Sequence, residues 1–474
     1  MRKKRALAHL GFRHDEEWRD WPNVPTVLID DIAGRLLGYD VAEYLRLRAA
    51  CKEWRACTAD PATVGDLNSR FRPRHWIMLS SSSQPEDARR QFINTATGAC
   101  AHAHLPELSG HILETYTQGL LLLWRLENEE EEDAAVHLRL LNPLTRALTD
   151  LPPITVERRS MYVAWKSGPT SRLVYAGISD ETSPPTVVLF MSSSMCSCIA
   201  YAKPGDQRWA LMDKECWKSV PTMNSSKDKL LIYIHYRSVL TMRGCIYLPT
   251  MYGNILKVSI HPKPQLLPVV VNQPFDLCPP NIISYLVPPA SDDDDTMLMV
   301  HYYHSLGHLS LAEQKKMKRR KDVIKVPISG RRYSWHLLQV FKVDLSGGRL
   351  VPVVAIGRRA LFIGDVACLS ISTETFPSVA GNAVYLGAKS ICSTYFGVRY
   401  LLDRMVDPPF KFAMQAAGKK PSHQRKKEQK PFHFTGCDLK PPERKIVLPL
   451  ARPCTLQEYL VACTGIRGAM NDLS

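Results

Sequence analysis

Short apolar segments rich in Val, Ile, Leu and Tyr recur from residue 71 onward, and clusters of Gly, Pro, Asn, Asp and Ser separate them. Strands bounded by such turn residues are typical of antiparallel sheets. Many strands at roughly ten-residue spacing indicate a sandwich, a barrel or a propeller, and some 330 residues exceed one simple sandwich. We therefore predict a β-propeller-like domain over 71–406. Its clearest segments are GLLLLWRL (119–126), VHLRLL (136–141), RLVYAG (172–177), TVVLFM (186–191), CIAYA (198–202), KLLIYIHY (229–236), GCIYL (244–248), NILKVSI (254–260), TMLMVHYY (296–303) and LLQVFKVDL (337–345).

Residues 21–60 follow a different, helical period. Apolar and polar residues alternate in blocks that repeat every four positions, which predicts an amphipathic helix beginning near Pro25. The apolar set is Leu28, Ile29, Ile32, Ala33 and Leu36.

A second helix is predicted after Asp40, because Asp40 and Glu43 have the spacing of a capping box. Leu47, Cys51 and Trp54 form its apolar stripe at i, i+4 and i+7, and Asp60-Pro61 ends it. A helical module of about forty residues cannot bury all its apolar side chains alone. The surplus surface packs either on a partner or on the chain's own β domain.

The predicted fold class is therefore α+β multidomain, a small all-α module followed by a large all-β domain that best fits a β-propeller. We expect a basic disordered tail over 1–20, a basic flexible linker or loop over 407–445, and a C-terminal segment over 446–474. Within that segment, Ile446-Val447-Leu448 is a candidate closing strand.

The net charge of +15 is concentrated in three short runs, MRKKR (1–5), KKMKRRK (315–321) and KKPSHQRKKEQK (419–430). A nucleic-acid-binding domain spreads its positive charge over a folded face. We therefore interpret the runs as solvated loops and tails, with nuclear import as one role and a nucleic-acid contact as the alternative.

The thirteen cysteines are odd in number and scattered, unlike a disulfide framework. Charged residues follow the basic N-terminus, so no signal peptide is expected, and no apolar run is long enough to predict a membrane span. We expect an intracellular protein of the nucleus, the cytoplasm or both.

Sequence motifs for catalysis, cofactors or metals do not stand out. No P-loop, nucleophile elbow or HExxH motif occurs. Cys196 and Cys198 have no further ligands at zinc-site spacing, and His301, His304 and His308 are interpreted as ordinary surface histidines. We therefore expect no enzyme activity, no cofactor and no metal.

Residues 21–58 resemble an F-box of the plant type, in the motifs Val24-Pro25, Leu28-Ile29, Ile32, Leu36, Asp40 and Ala50-Cys51-Lys52-Glu53-Trp54-Arg55. The later sequence resembles the F-box-associated, KIB-type β-propeller domain of unknown function that is C-terminal in such proteins. Its motifs are Ala360-Leu361-Phe362-Ile363-Gly364, Leu369-Ser370-Ile371-Ser372, Phe376-Pro377 and Asn382-Ala383-Val384-Tyr385, supported by Leu141-Asn142-Pro143-Leu144-Thr145, Lys203-Pro204-Gly205-Asp206 with Trp209, and Arg243-Gly244 with Ile246-Tyr247.

This resemblance implies a substrate receptor of an SCF-type ubiquitin ligase. The F-box would bind a Skp-type adaptor, and through it a cullin, while the β domain would bind an unknown target protein. The residues implied in adaptor binding are Val24, Pro25, Leu28, Ile29, Ile32, Leu36, Val41, Leu45 and Trp54. The alternatives are a propeller that binds proteins outside ubiquitination, a nuclear nucleic-acid-associated protein, and a propeller enzyme with carboxylates or a metal at its central channel.

Overall fold

A computed structural model of the chain describes residues 21–64, 67–79, 88–126, 136–154, 172–193, 197–213, 216, 238–250, 253–271, 282–290, 296–303, 315, 319, 323–329, 332–364, 366–386, 397–403, 405–407, 456, 460 and 463. The chain divides into two compact units, Met1–Val64 and Gly65–Ser474.

The first unit is helical where it is described. α1 packs against α2, and α2 packs against α3. Ile29, Ala33 and Leu37 are spaced one turn apart and form the buried face of α1. The elements are a 3-10 turn at Trp21–Asn23, α1 at Thr26–Tyr39, α2 at Val41–Ala50 and α3 at Lys52–Ala56.

Asp40 separates α1 from α2. Its carboxylate accepts a hydrogen bond from the Ala42 amide at 2.9 Å, so the predicted helix start at Asp40 is confirmed. Glu43 was expected to bond back to Asp40. It instead pairs with Arg46 one turn later, while the Asp40 amide donates to the Leu36 carbonyl at 2.7 Å.

The continuous helix predicted through Cys51 is wrong, because the Cys51 backbone is extended and divides it into α2 and α3. The buried Arg48 guanidinium explains the change of direction. It donates to the carbonyls of Thr58 at 2.6 Å and Ala59 at 3.0 Å and pairs with Asp60 at 3.0 Å. The chain must therefore turn back after α2.

The second unit is a six-bladed β-propeller, and its six described sheets follow one another along the chain. Blade 1 contains β1 Trp76–Met78, β2 Arg89–Asn94 and β3 Cys100–His104. Blade 2 contains β4 Ile112–Thr117, β5 Leu120–Leu126, β6 Val136–Leu141 and β7 Leu148–Asp150. Blade 3 contains β8 Arg172–Ser179, β9 Thr186–Ser193, β10 Ser197–Ala202 and β11 Ala210–Leu211.

The remaining blades include two five-stranded sheets. Blade 4 contains β12 Leu240–Met242, β13 Cys245–Pro249, β14 Ile255–Ser259 and β15 Gln265–Val270. Blade 5 contains β16 Ile282–Val287, β17 Leu298–Tyr303, β18 Val323–Ser329, β19 Arg332–Asp344 and β20 Arg349–Val353. Blade 6 contains β21 Arg359–Ile363, β22 Cys368–Ser372, β23 Ala383–Leu386, β24 Val398–Tyr400 and β25 Val406–Asp407.

The predicted β architecture is confirmed as a propeller, and the apolar segments named above coincide with its strands. The segment KLLIYIHY (229–236) lies outside the described residues. Within blades 1 to 4 the strands pair in chain order and antiparallel. In blade 6, β21 instead pairs antiparallel with β22 and parallel with β23, so β22 takes the first position of that sheet.

The hydrophobic core lies between neighbouring sheets. One apolar cluster joins blades 2 and 3, others join blades 3 and 4, 4 and 5, and 5 and 6, and a further cluster joins blade 6 to blade 1. Phe362 and Tyr385 stack in that last cluster with ring centroids 4.3 Å apart. Burial of these faces stabilises the fold because each sheet covers its neighbour.

The C-terminal segment takes part in the cluster between blades 6 and 1. Leu456, Leu460 and Cys463 have helical backbone conformation, and Leu460 and Cys463 are buried there. The Cys463 thiol donates to the Met78 carbonyl of β1 at 3.2 Å. The candidate closing strand at 446–448 lies outside the described residues.

Two blades carry the same turn. The Asn94 side chain accepts hydrogen bonds from the Ala96 and Thr97 amides, and the Asn142 side chain accepts from Leu144 and Thr145. In each blade the Asn turn forms the connection between two paired strands, β2 and β3 in blade 1 and β6 and β7 in blade 2. It is an internal repeat of the form Asn-x-x-Thr-x-Ala.

Candidate functional site

The first helix of the N-terminal unit presents an apolar surface next to its buried face. Leu28, Ile32, Leu36 and Tyr39 are spaced at i, i+4, i+8 and i+11, which places them within about 80° around the helix. Leu28 is 53% exposed, Ile32 41% and Tyr39 66%, whereas Leu36 is half-buried. We call these four residues the α1 ridge.

Polar bonds hold the ends of the helical unit together. The Trp54 indole donates to the Trp21 carbonyl at 3.0 Å, which ties α3 to the turn before α1. The Tyr44 hydroxyl donates to the Ala59 carbonyl at 2.5 Å, beside the bonds made by Arg48. The α1 ridge therefore belongs to a unit in which the described residues from Trp21 to Ala59 are tied together by these bonds.

The nine residues predicted to bind an adaptor fall into three groups. The exposed ones are Pro25, Leu28 and Ile32. The half-buried ones are Val24, Leu36, Leu45 and Trp54. The buried ones are Ile29 and Val41. A partner could contact Ile29 and Val41 only if they left the interior, so the predicted adaptor contact depends mainly on Leu28 and Ile32. Adaptor binding itself stays a prediction.

Tyr39 is missing from that predicted set. It lies three residues after Leu36 and completes the 4-4-3 spacing of the ridge, so the period alone could have identified it.

A cavity of about 200 Å³ lies where the first strands of all six sheets meet. Its walls are largely apolar, and each blade contributes to them. One lining residue from each of blades 1 to 6 in turn is Trp76, Tyr116, Tyr175, Leu240, Leu286 and Leu369. Burial raises the pKa of the Tyr116 hydroxyl well above its usual value, so this group stays protonated.

The polar lining of this central cavity is mostly neutral Ser, Thr and Gln, and its two arginines are solvent-exposed. Arg74, His75 and Arg243 line it, and none of the described lining residues is Asp or Glu.

Two tight turns place polar side chains at the cavity. Gln118 and Gly119 connect β4 to β5, and Arg243 and Gly244 connect β12 to β13. All four residues have positive φ, with Gln118 at 51° and Arg243 at 50°. Positive φ at both central positions is the type I′ hairpin, which favours Asn or Gly at the first of them.

A buried ion pair links three parts of the propeller beside these turns. Arg72, just before β1, binds both carboxylate oxygens of Asp180 at 2.5 and 3.1 Å and donates to Gln118 at 2.5 Å. It also donates to the Leu67 carbonyl at 2.6 Å. Because Asp180 follows β8 and Gln118 follows β4, this one guanidinium connects blades 2 and 3 to the segment before blade 1.

Glu181 makes a second link, between blades 3 and 4. Its carboxylate accepts from the Ile260 amide at 2.7 Å and pairs with Lys257 at 3.0 Å. Burial acts to raise the pKa of Glu181, but the backbone bonds and Lys257 outweigh it, and the pKa lies below its ordinary value.

The interpretation of His301 as a surface residue is wrong. Its side chain is 1% exposed, because β17 lies between β16 and β19. The His301 Nδ1 lies 2.9 Å from the Ser284 hydroxyl, and the ring packs edge-on against Phe341. His304 and His308 lie outside the described residues.

Several other sequence features also fall outside the described residues. Cys196 and nearly all of the three basic runs are among them. Within the described part of the chain, no group of three or more His, Cys, Asp or Glu residues is placed to hold a metal ion. No helix in that same part is long and apolar enough to span a membrane.

A sequence model described as KIB1-4 beta-propeller matches residues 92–397, which is more than half of the chain. The chain belongs to the KIB1-4 beta-propeller family. The matched range lies in the middle of the chain and includes the end of β2 and all of β3 in blade 1, blades 2 to 5, and β21 to β23 of blade 6. The strong motif around Phe362 and Tyr385 forms adjacent strands of that last blade, with β21 beside β23.

One solved structure with distant similarity to the chain is a bacterial protein. A crystal structure assigned as a 6-phosphogluconolactonase from Bacteroides uniformis shares 12% identity, covers 70% of this KIB1-4 beta-propeller chain and 94% of its own chain, and has a TM-score of 0.26. A search of curated proteins found no match.

Proposed function

We propose that this KIB1-4 beta-propeller protein is a non-catalytic substrate receptor of an SCF-type ubiquitin ligase. The N-terminal helical unit binds a Skp-type adaptor, and through it a cullin, while the propeller binds a target protein. The receptor holds its target near a ubiquitin-loaded enzyme and so raises the effective concentration of target lysines. Its place of action is inside the cell, in the nucleus, the cytoplasm or both.

The observation that carries the proposal is the exposure of the α1 ridge. A helix normally turns its apolar residues inward, and Ile29, Ala33 and Leu37 already do so. Leu28, Ile32 and Tyr39 form a second apolar stripe beside the first. Apolar side chains grouped in this way mark a protein interaction surface.

The F-box resemblance supplies the identity of the partner. Leu28 and Ile32 are both motif positions of that resemblance and both exposed on the ridge. The propeller supports the receptor role in a different way, since this fold is compatible with binding a protein.

The test is binding of the full chain to a purified Skp-type adaptor, with and without the double substitution Leu28→Asp, Ile32→Asp. Burying the exposed part of each apolar side chain is worth about 1 kcal/mol, and each new carboxylate would have to lose water. We therefore expect affinity to fall at least about a hundredfold, or roughly 2.7 kcal/mol.

Val354→Asp is the matched control, because Val354 is an exposed apolar residue of the propeller. It adds a charge without touching the α1 ridge and should bind the adaptor like the unchanged chain. Binding that survives the double substitution contradicts the proposal. A chain that never binds the adaptor but enriches a cellular protein through its propeller favours an interaction role outside ubiquitination.

A further inference from the structure

The last described strand of blade 1 carries two exposed histidines that the receptor role does not use. The sheet has the order β1-β2-β3, so β3 lies at its edge among the described strands. The sequence of β3 is Cys-Ala-His-Ala-His, and exposed residues alternate with half-buried ones along it. Because side chains at i and i+2 of a strand point to the same face, His102 and His104 are neighbours on the exposed face of β3.

The spacing of these two histidines suits a single metal ion. A strand rises by about 3.3 Å per residue, so the two Cα atoms are about 6.6 Å apart. Side chains can lean along the strand, and metal–nitrogen bonds of about 2.1 Å then allow both imidazoles to reach one ion. Among the described residues, neither the His102 nor the His104 imidazole has a hydrogen-bond or ion-pair partner, so both are available as ligands.

The neighbouring side chains on β2 favour a transition metal. His102 is directly opposite Gln91, and His104 is directly opposite Arg89. Neither β2 nor β3 contains Asp or Glu, the carboxylates that usually bind Mg²⁺ and Ca²⁺, and Arg89 adds a positive charge. Charge attraction therefore does not favour a cation here. Binding depends on imidazole nitrogen, which suits Cu²⁺, Ni²⁺ and Zn²⁺.

Cys100 is on the same face of β3 but is too far away to complete the site. It is four residues from His104, which is about 13 Å along the strand. This separation agrees with the finding that no three described His, Cys, Asp or Glu residues are grouped around a metal position. One ion on β3 therefore has at most two protein ligands, and water would complete its coordination.

We propose that His102 and His104 together bind one divalent transition-metal ion, of the class Cu²⁺, Ni²⁺ or Zn²⁺, at the edge of blade 1. The extended strand holds the two imidazoles at the required spacing, so the ion binds the folded sheet in preference to the unfolded chain and stabilises it. This site replaces the expectation of no metal, which rested on other Cys and His residues. It lies wholly in the propeller and does not depend on adaptor binding.

The test titrates the full chain with Cu²⁺, Zn²⁺ and Mg²⁺ as separate probes. Cys100→Ser is the common background, because Cys100 and His102 form a second pair with the same spacing. Calorimetry reports the affinities, and electron paramagnetic resonance of bound Cu²⁺ reports its nitrogen ligands. The chain contains 15 histidines, so the site is read as the difference between variants. We expect Cu²⁺ to bind more tightly than Zn²⁺ and Mg²⁺ not to bind at this site.

Two ligands that hold one ion lose their joint affinity when either is removed. We expect His102→Gln and His104→Gln each to lower Cu²⁺ affinity at this site at least about tenfold. The double variant should lose little more than either single variant. His261→Gln is the matched control, because His261 is exposed and has Lys263, not a histidine, two residues further on. It should leave the site unchanged.

The pairing of β2 with β3 allows a gain-of-function test. Gln91 is exposed and directly opposite His102, and Cβ atoms of such a pair are about 5 Å apart. Adding Gln91→His to His104→Gln should therefore restore Cu²⁺ affinity through a pair between the two strands. Failure of this rescue would contradict the shared face.

Three further results would overturn the site. The first is Cu²⁺ affinity that does not change in either His102→Gln or His104→Gln. The second is two independent losses that add in the double variant, since separate histidines would behave in that way. The third is the same loss in His261→Gln as in His104→Gln.

Discussion

The ion pair of Arg72 with Asp180 allows a test of how the propeller is held together. The Arg72 side chain is 1% exposed and the Asp180 side chain 27%. If one partner is removed, water can therefore solvate a remaining Asp180 carboxylate better than a remaining Arg72 guanidinium. Removing one partner of a buried pair leaves the other as an uncompensated charge. The cost should therefore depend on which partner is removed.

Asp180→Ala leaves a buried guanidinium with only the neutral acceptors at Leu67 and Gln118. We expect this change to cost about 3 kcal/mol, the low end for a broken buried pair, because those acceptors remain. Arg72→Met leaves a carboxylate that water can reach and fills the same space with an apolar chain. We expect that change to cost about 1–2 kcal/mol.

Urea unfolding of the full chain, followed by tryptophan fluorescence, measures both costs. The double variant Arg72→Met, Asp180→Ala should resemble Arg72→Met alone, because the uncompensated charge is gone. The reasoning fails if Asp180→Ala is no worse than Arg72→Met, or if the two costs simply add.

Three further predictions concern closure, turns and acid. Leu460→Ala should lower stability by about 2–5 kcal/mol in urea unfolding, because Leu460 is fully buried where blade 6 meets blade 1; a change within about 0.5 kcal/mol would contradict that role. In the same assay, Gly110→Ala should cost about 1 kcal/mol and Gly119→Ala several times as much. Both glycines have positive φ, but only at Gly119 would the new Cβ overlap the Pro73 carbonyl. Equal costs would refute the overlap. The pKa of Glu181 is lowered in the folded state, so the stabilisation that its carboxylate provides, about 1 kcal/mol, is present above pH 4.5 and is lost as the pH falls. Between pH 7 and pH 3, the unfolding midpoint of Glu181→Gln should therefore fall less than that of the unchanged chain. An identical fall in both would contradict the link.

The strands were predictable from sequence because each buries an apolar face next to explicit turn residues. GLLLLWRL became β5 and RLVYAG fell within β8. The number and phase of the blades were not predictable in the same way. The Asn-x-x-Thr-x-Ala turn at Asn94 and Asn142 carries a phase signal, but it consists of two short matches that begin 48 positions apart with unlike sequence between them.

Long-range contacts account for the rest. The helix break at Cys51 follows from the bonds between Arg48 and the carbonyls of Thr58 and Ala59, which no local period contains. His301 was misplaced because the burial of β17 depends on strands that pair with it from both sides. The central cavity likewise exists only once six distant strands meet.

In the helical unit, too, part of the structure depends on contacts that the sequence period does not contain. The period predicted one apolar face on α1, and that predicted face includes both Ile29, which is buried, and Leu28, which is exposed. A difference of one position, or about 100° around the helix, separates interior from surface. Period alone could not make that distinction, because it depends on where α2 packs.

Hydrogen exchange of the backbone amides of Thr26–Tyr39 in the full chain, with and without saturating Skp-type adaptor, tests the receptor role most directly. The account predicts slower exchange across α1 on adaptor addition and unchanged exchange in β5, Leu120–Leu126, which serves as the internal reference. Unchanged exchange across α1 at saturating adaptor would contradict it.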